Sequence, residues 1–433
     1  MEVWVFGLGV WWLLLFLYNK VSLTQAFLSA KPIFVLFGLW LLLLLFQLTP
    51  MPEWLLASIS PKAVEIHGLA HNTTAITASV DPYATTGFLL KSLTYIMIFA
   101  LALLLIRRTS RIKLTVTILV LSGVFQAVFG SLMVLSGIEY GFLFEKTDYR
   151  GVATGTFINR NHLAGYLEMC LAAGIGILVA DSGNNTASSW RAHLRNIVQW
   201  LISPKMRLRV FLAIMVIGLV LTHSRMGNTA FFSSLLISAG IWFLLAKKRP
   251  KRPAFILLAT ILIIDIYIVG AWFGIDKVVE RLENTSATTE TRDEVVQQGL
   301  MYFADFQLVG SGGGSFYTVF PAYRQENIKG YYKFAHNDYL QFAVETGAIG
   351  LCLLGLITLI TLWAAIMTIY RQHNPTMRGL GFSSLMGILA LLIHSTVDFN
   401  LQIPANATLF MLILAFAWIG RSHKYTLPTK NTN

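Results

Sequence analysis

The sequence predicts an all-α integral membrane protein with about 11 (11–12) transmembrane helices and a large periplasmic loop that contains short helices. Hydrophobic residues make up 55% of the chain, charged residues only 12%, and the mean hydropathy is +0.64, which together exclude an ordinary soluble domain. We therefore expect residues 1–433 to form a single polytopic membrane domain. The apolar runs that could cross a bilayer lie at residues 3–18, 32–48, 87–106, 114–137, 157–180, 210–222, 227–246, 254–273, 347–370, 379–397 and 405–420.

The distribution of lysine and arginine predicts how these helices are oriented. Most basic residues fall in alternate loops, whereas nearly all acidic residues fall in the others. Because basic loops stay in the cytoplasm, the remaining loops are expected in the periplasm, outside a bacterial inner membrane. The largest of these, residues 274–335, is predicted to cover a site on that side. The basic loops are residues 19–31, 107–113, 181–209, 247–252, 371–378 and the tail from Arg421 onwards.

The net charge of +12 is therefore interpreted as a topology signal. The basic residues form short clusters between apolar runs and no basic, aromatic-rich patch, so we expect no nucleic-acid partner. Cys170 and Cys352 lie within apolar runs and lack metal-ligand spacing, which argues against a disulfide framework or a zinc site.

Four polar clusters fall on the predicted outer side, and the first opens a membrane span at residues 156–169. It contains Arg160, Asn161 and His162, followed by Glu168 one or two turns into the lipid. A carboxylate at that depth is costly unless it faces the protein interior. The cluster therefore predicts either a hydrogen-bond network between helices or a functional site.

Two further clusters place an arginine against local preference. Arg225 lies in the turn SRMG between two spans, on the side where positive charge is disfavoured, and either reaches to lipid headgroups or binds an anion. Arg292 is expected in the first turn of an amphipathic helix that Thr291 and Glu294 would cap. A cation is unfavourable at that helix end, which favours a functional role for Arg292 over a solvated position.

A glycine-rich run, GSGGGSF, occupies residues 310–316. It does not follow a clear strand and lacks the Lys-Ser/Thr of a phosphate-binding loop, so the nucleotide signal is weak. A tight turn is the favoured interpretation.

The fourth cluster, residues 331–350, runs from the large loop into a span. It contains His336, Asn337, Asp338 and Glu345. A lone histidine is usually structural, but one beside carboxylates at a membrane boundary can also exchange a proton near neutral pH. His336 is therefore a candidate base, with the three neighbouring residues in supporting roles.

A smaller polar group occupies residues 394–404. His394 and Asp398 are four residues apart, which would place them on one helical face at the same outer side. Two ligands do not make a metal site, so the pair is interpreted as supporting or structural.

The outer basic residues together predict a binding site for a lipid-linked diphosphate. Guanidinium groups bind phosphate oxygens through paired, charge-assisted hydrogen bonds. Glycosyl transfer from such a lipid needs a base and fixed positive charge at the leaving group, without a metal or other cofactor. The residues concerned are Arg160, Arg225, Arg292, Arg324, Lys329 and Lys333.

In the order and spacing of these motifs, residues 156–404 resemble the bacterial O-antigen ligase and O-antigen polymerase superfamily. The resemblance is carried by FINRNHLAGYL, SRMG, the Arg292 helix with LVGSGGGSF, HNDYLQFAVETGAIG and HSTVDFNLQIP. It implies metal-independent transfer from an undecaprenyl-diphosphate glycan, with His336 as the general base, Arg225 and Arg292 on the diphosphate, and Arg160 as a helper. Ligases of this kind usually have twelve spans, so the amino-terminal region is where this chain departs from them.

The resemblance leaves several functions in competition. A ligase attaches finished glycan to a lipid A-core sugar, and this assignment is favoured. A polymerase instead joins repeat units of O-antigen, capsule or exopolysaccharide. A transporter or flippase would need polar residues along a path through the membrane, yet apart from Asp265 the polar clusters lie at one face. A purely structural membrane scaffold would leave the outer arginines unexplained.

Overall fold

The computed structural model describes residues 1–69, 76–141, 144–180, 203–245, 292–325 and 332–422. These residues are mostly helical, as the sequence predicts. Two 3-10 helices, Phe320–Ala322 and Asn400–Gln402, and one short antiparallel ladder, β1 (Tyr140–Gly141) with β2 (Phe144–Glu145), accompany the α-helices. The α-helices are α1 (Glu2–Leu17), α2 (Gln25–Ser29), α3 (Lys31–Leu48), α4 (Glu53–Ile59), α5 (Pro61–Leu69), α6 (Pro82–Leu105), α7 (Thr109–Ser136), α8 (Arg160–Ala180), α9 (Pro204–Leu221), α10 (Arg225–Leu245), α11 (Arg292–Asp305), α12 (Phe316–Val319), α13 (Asp338–Arg371), α14 (Pro375–His394) and α15 (Pro404–Ser422).

Eight of the described helices are long and apolar enough to cross a membrane, and each overlaps a predicted run. These are α3, α6, α7, α8, α10, α13, α14 and α15. α1 is apolar but has only 16 residues, and α9 matches the run 210–222 but carries Lys205, Arg207 and Arg209 near its start. Because the predicted run 254–273 lies outside the described residues, the count of about eleven spans stays a prediction.

The centre of the bundle is formed by α8 and α14, which pack closely through small residues. A Cβ placed on Gly176 of α8 would overlap Ser383 of α14. The Ser383 hydroxyl donates to the Ala173 carbonyl at 3.2 Å, so a short side chain on α14 reaches the backbone of α8. Small residues allow such close packing where the lipid gives no hydrophobic drive for helix association.

The helix ends sort into two opposite groups. The basic end comprises residues 18–31, 105–112, 369–378 and 421–422, which belong to the loops predicted to be cytoplasmic. The contacts that join them are Arg107 with the Ser22 carbonyl, Ser29 with Ser422, and Gln372 Nε2 with the Arg421 carbonyl at 3.0 Å. The helix ends therefore group together as the charge distribution predicts.

The polar end comprises the described residues in 47–82, 139–162, 222–228, 292–345 and 394–404, and it contains residues of all four predicted polar clusters. The contacts that join these segments are Ser79 N with Gln47 O (2.9 Å), Val80 N with Ser311 O (2.8 Å), Ala153 N with Leu221 O (2.8 Å), Asp338 N with Asp398 O (3.1 Å) and His162 with Asp398 (3.5 Å). Segments far apart in sequence thus form one surface.

α13 is broken near its start, at the residue where the sequence predicted the span to begin. Gly347 has φ of 66° and ψ of −174°, which is non-helical. The next two amides bond outside the helix, Ala348 N to Gln307 O at 2.7 Å and Ile349 N to Leu308 O at 3.3 Å. The break separates a short first part, residues 338–346, from a long apolar second part. The first part packs against the segment 305–316.

Candidate functional site

His336 immediately precedes α13 in a constrained backbone conformation. Its φ of 52° lies in the left-handed region, which histidine occupies more readily than most residues. Its half-buried ring meets the Phe399 ring edge-on, with 4.7 Å between centroids. Asn337 caps the helix, since its Oδ1 accepts from Leu340 N at 3.1 Å, and its Nδ2 donates to the Thr396 carbonyl at 2.9 Å. The backbone on the carboxyl-terminal side of the histidine is therefore held in place by Asn337.

The first residue of α13, Asp338, is buried and docks the helix onto the segment after α14. Its Oδ2 accepts from Ser395 Oγ at 2.8 Å and from Leu401 N at 3.1 Å. Its N–H donates to the carbonyls of Ser395 and Asp398. The prediction that His394 and Asp398 share a helical face is wrong, because α14 ends at His394 and the chain beyond it turns to receive Asp338.

Carboxylates and imidazoles alternate beneath this junction. Glu168 Oε1 lies 2.8 Å from His394 Nδ1, and His162 Nε2 lies 3.5 Å from Asp398 Oδ1. The remaining gap, from His394 Nε2 to Asp398 Oδ2, is 4.0 Å. Burial acts to raise the pKa of Asp398, but the imidazoles of His162 and His394 outweigh it and lower that pKa to about 2. Phe399 lies against both His162 and His336, so the group lies next to the candidate base.

The start of α8 is fixed by asparagines. Asn159 Oδ1 accepts from Asn161 N at 2.8 Å, and Asn161 itself is half-buried in the first turn. The His162 carbonyl accepts from Asn406 Nδ2 at 3.0 Å. Gly165 leaves room for the Asn400 side chain, which a Cβ at this position would overlap. The polar cluster at the start of α8 thus takes part in hydrogen bonds with α14 and α15.

The glycine run forms the predicted tight turn. Gly310, Gly312 and Gly314 have φ of 75°, 112° and 79°, which only glycine adopts without strain. The amides of the turn bond to groups of the protein itself, since Phe316 N donates to Glu345 Oε1 at 3.3 Å and Gly312 N donates to the Glu345 carbonyl at 3.1 Å. These amides therefore serve the fold of this region.

Gln47, at the end of α3, locks this turn onto the broken helix. Its Nε2 donates to the carbonyls of Val309 (2.5 Å) and Glu345 (2.8 Å), and its Oε1 accepts from Gly313 N at 3.1 Å. A fully buried amide with both ends satisfied rigidifies what it joins.

The three candidate arginines each occupy the first residue of a helix. Arg225 begins α10 and is exposed, whereas Arg160 begins α8 and lies over the Tyr149 ring at 5.7 Å from its centroid. Arg292 begins α11, which confirms the predicted helix, although the capping residue Thr291 and the Arg292 side chain lie outside what the structure describes. Of the other predicted basic residues, Arg324 and Lys333 are exposed at the polar end and Lys329 lies outside the described residues.

Packing brings the starts of α8 and α10 together and places α11 against α13. A Cβ on Gly227, two residues after Arg225, would lie 2.6 Å from Ala164 Cβ of α8. A Cβ on Gly299 of α11 would contact the Leu340 side chain in the first turn of α13. The starts of α8 and α10 thus lie side by side, and α11 lies across the helix that His336 precedes.

Three side chains that organise the site were missed by the sequence reasoning: Gln47, Gln341 and Phe399. Gln341 carried a usable signal, since it lies four residues before Glu345 in an otherwise apolar stretch, which places both on one helical face. Gln47 and Phe399 gave no such signal, because their partners are distant in sequence. Among the described residues, no group of three or more His, Cys, Asp or Glu could hold a metal ion.

Comparison with known proteins supports the resemblance predicted from the motifs. Residues 210–355 match the family model described as O-antigen ligase, and they include SRMG, the glycine turn and HNDYLQFAVETGAIG. No curated protein matches the chain. Together with eight candidate membrane-spanning helices among the described residues, this match makes the chain similar to the O-antigen ligase and polymerase superfamily, whose members are glycosyltransferase-like membrane enzymes.

Proposed function

We propose that this protein transfers a glycan from an undecaprenyl-diphosphate carrier to an acceptor hydroxyl at the polar end, as an O-antigen ligase with a lipid A-core acceptor. The observation that carries the proposal is that His336 and three helix starts led by arginine lie at one end of the bundle. The alternative within the family is a polymerase that joins lipid-linked repeat units at the same site.

His336 acts as the general base in this mechanism. Its imidazole takes the proton of the acceptor hydroxyl as that oxygen attacks the anomeric carbon of the donor. The bond from this carbon to the diphosphate oxygen breaks, and the diphosphate leaves with the bonding electrons. The fixed backbone at His336 supports this role, because a base must be held within hydrogen-bond reach of the proton it removes.

Arg225 and Arg292 bind the diphosphate, with Arg160 as a helper. A helix start carries a partial positive charge and unpaired N–H groups, so an arginine there is unfavourable for the empty helix and favourable once an anion is bound. Fixed positive charge also stabilises the leaving diphosphate as its negative charge develops. The proposed mechanism uses neither a metal nor another cofactor.

The polar end faces the periplasm of the bacterial inner membrane in this proposal. The support is the concentration of lysine and arginine in the loops of the opposite, basic end. The loop 274–335 covers the site in this proposal. Within its described part, α11 and the glycine turn pack on the first part of α13. The donor lipid would reach the site from the bilayer, and the acceptor from the periplasm.

Deletion of the gene in its host tests the proposal, with surface glycans and lipid-linked intermediates separated on gels. We expect surface glycan to be lost and long chains to accumulate on the carrier lipid. Accumulation of single repeat units would overturn the ligase assignment in favour of the polymerase. Unchanged surface glycan, with no accumulated intermediate, would overturn glycosyl transfer altogether.

A further inference from the structure

Two buried side chains connect the glycine turn to the residue before His336. They are Gln341 and Glu345, both on the first part of α13. We propose that Gln341 and Glu345 are positioning residues, which hold the backbone at Ala335 and thereby fix where the His336 imidazole stands. This inference rests on the proposed role of His336 as a base. Neither side chain touches the reacting atoms in this scheme.

The hydrogen bonds form one continuous relay. Ala335 N donates to Gln341 Oε1 at 2.7 Å, and Gln341 Nε2 donates to Glu345 Oε1 at 2.5 Å. The same Glu345 oxygen accepts from Phe316 N at 3.3 Å, which anchors the relay to the glycine turn. Gln341 and Glu345 are each only 1% exposed, so water does not replace these bonds.

The direction of the relay is fixed by chemistry. A backbone N–H can only donate, so the Gln341 amide must present its oxygen to Ala335. Its nitrogen then faces Glu345, which must present an acceptor. Two ionised carboxylates at these positions cannot form the link between the side chains. A glutamate at 341 with a glutamine at 345 restores a donor between them, with the glutamine nitrogen facing residue 341 and its oxygen facing Phe316 N. The order of donor and acceptor can therefore be tested separately from the size and polarity of the two side chains.

The relay acts where the backbone needs support. A left-handed conformation at a residue other than glycine is strained and persists only when its surroundings hold it. Asn337 holds the carboxyl-terminal side of His336, through Leu340 and Thr396. Gln341 holds the preceding side at Ala335. Loss of this second support frees the backbone before His336 without removing the imidazole.

The experiment compares Gln341→Met, Gln341→Glu, the swapped pair Gln341→Glu with Glu345→Gln, and Thr368→Val, all as full-length protein in lipid nanodiscs. Thr368 is the matched control, a buried side chain on the same helix whose hydroxyl bonds the Ala364 and Ala417 carbonyls near the basic end. The two readouts are glycan transfer from the lipid-linked donor, analysed as kcat and KM, and amide hydrogen exchange in residues 332–340.

We expect Gln341→Met and Gln341→Glu to lower kcat by about 10–100-fold, the loss typical of a displaced catalytic group, with KM for the donor within about twofold. Exchange in residues 332–340 should become faster in both. The swapped pair should return kcat to within about fivefold of the wild type and slow the exchange again, because it restores the donor. Thr368→Val should behave as the wild type.

A swapped pair no more active than Gln341→Glu would overturn the proposal, and so would full kcat in Gln341→Met. If the single variants fail to fold, the swapped pair must both fold and transfer glycan, or the relay is refuted. A different outcome is that the wild-type protein transfers no glycan, yet the swapped pair restores exchange protection. That outcome would refute the proposed function and leave the backbone relay standing. The two failures are thereby distinguishable.

Discussion

Two helices at the polar end, α10 and α13, begin in the same way yet present different groups. His223 precedes α10 and His336 precedes α13, each with a left-handed backbone, φ of 53° and 52°. The next residue caps the helix in both cases. Ser224 Oγ accepts from Gly227 N at 3.2 Å, and Asn337 Oδ1 accepts from Leu340 N at 3.1 Å.

The residue directly after the cap makes the difference. In α10 it is Arg225, which is exposed, whereas in α13 it is Asp338, which is buried and bonded to the segment after α14. Burial of Asp338 fixes the start of α13 against the bundle and leaves the preceding histidine against Phe399. The same backbone turn is therefore followed by an exposed arginine in α10, whereas in α13 it leaves a histidine packed against Phe399.

Glycine substitution at the two histidines should break this symmetry most strongly. Glycine adopts the left-handed conformation without strain, so His336→Gly and His223→Gly should each change the free energy of unfolding by less than about 1 kcal/mol. We expect His336→Gly to lower glycan transfer by about 10²–10⁴-fold, the usual contribution of a general base. His223→Gly should keep transfer within about threefold, because at this helix start the proposed functional group is the arginine.

Transfer is measured with purified protein and lipid-linked donor, and apparent Tm reports folding. If His336→Gly and His223→Gly lost activity to the same extent, the turns would matter only as structure. If His336→Gly retained transfer, the imidazole would not be the base.

A conservative change at the other helix start should have the next largest effect. Arg225→Lys keeps the charge but loses the planar fork that binds a diphosphate through two parallel hydrogen bonds. We expect transfer to fall by about 10–100-fold, chiefly through a raised KM for the lipid-linked donor. Titration of the donor against Arg225→Lys and wild type checks this, and Arg421→Lys at the basic end is the control. Full activity of Arg225→Lys would mean that a point charge suffices.

Much of this arrangement is predictable from the sequence, because the turns are encoded locally. The polar clusters lie next to apolar runs, so both the helix starts and their common side of the membrane can be inferred from hydropathy and charge. The start of α11 at Arg292 and the glycine turn were likewise predicted and are present. The helix containing Gly347 was predicted only in part, because nine residues before the break are polar enough to look like loop.

The rest depends on contacts between distant segments. His394 and Asp398 look like a pair on one helix, but the fold of residues after 394 is set by Asp338, nearly sixty positions earlier in the chain. Phe399 lies between His162 and His336, and no spacing rule links these three residues. Such positions are fixed only once the helices pack, which is why the sequence could suggest candidate residues but not their partners.

The two cap side chains are expected to contribute only modestly, and unequally, to stability. Removal of a cap side chain costs about 1 kcal/mol, so Ser224→Ala and Asn337→Ala should both lower apparent Tm. Asn337→Ala should lower it further, because it also removes the bond from Nδ2 to the Thr396 carbonyl. Asn337→Asp separates the two contributions, since aspartate keeps the cap acceptor and cannot donate to Thr396. If apparent Tm of Asn337→Asp equalled that of wild type, the tie to Thr396 would contribute nothing, and the two helix starts would be held with equal strength.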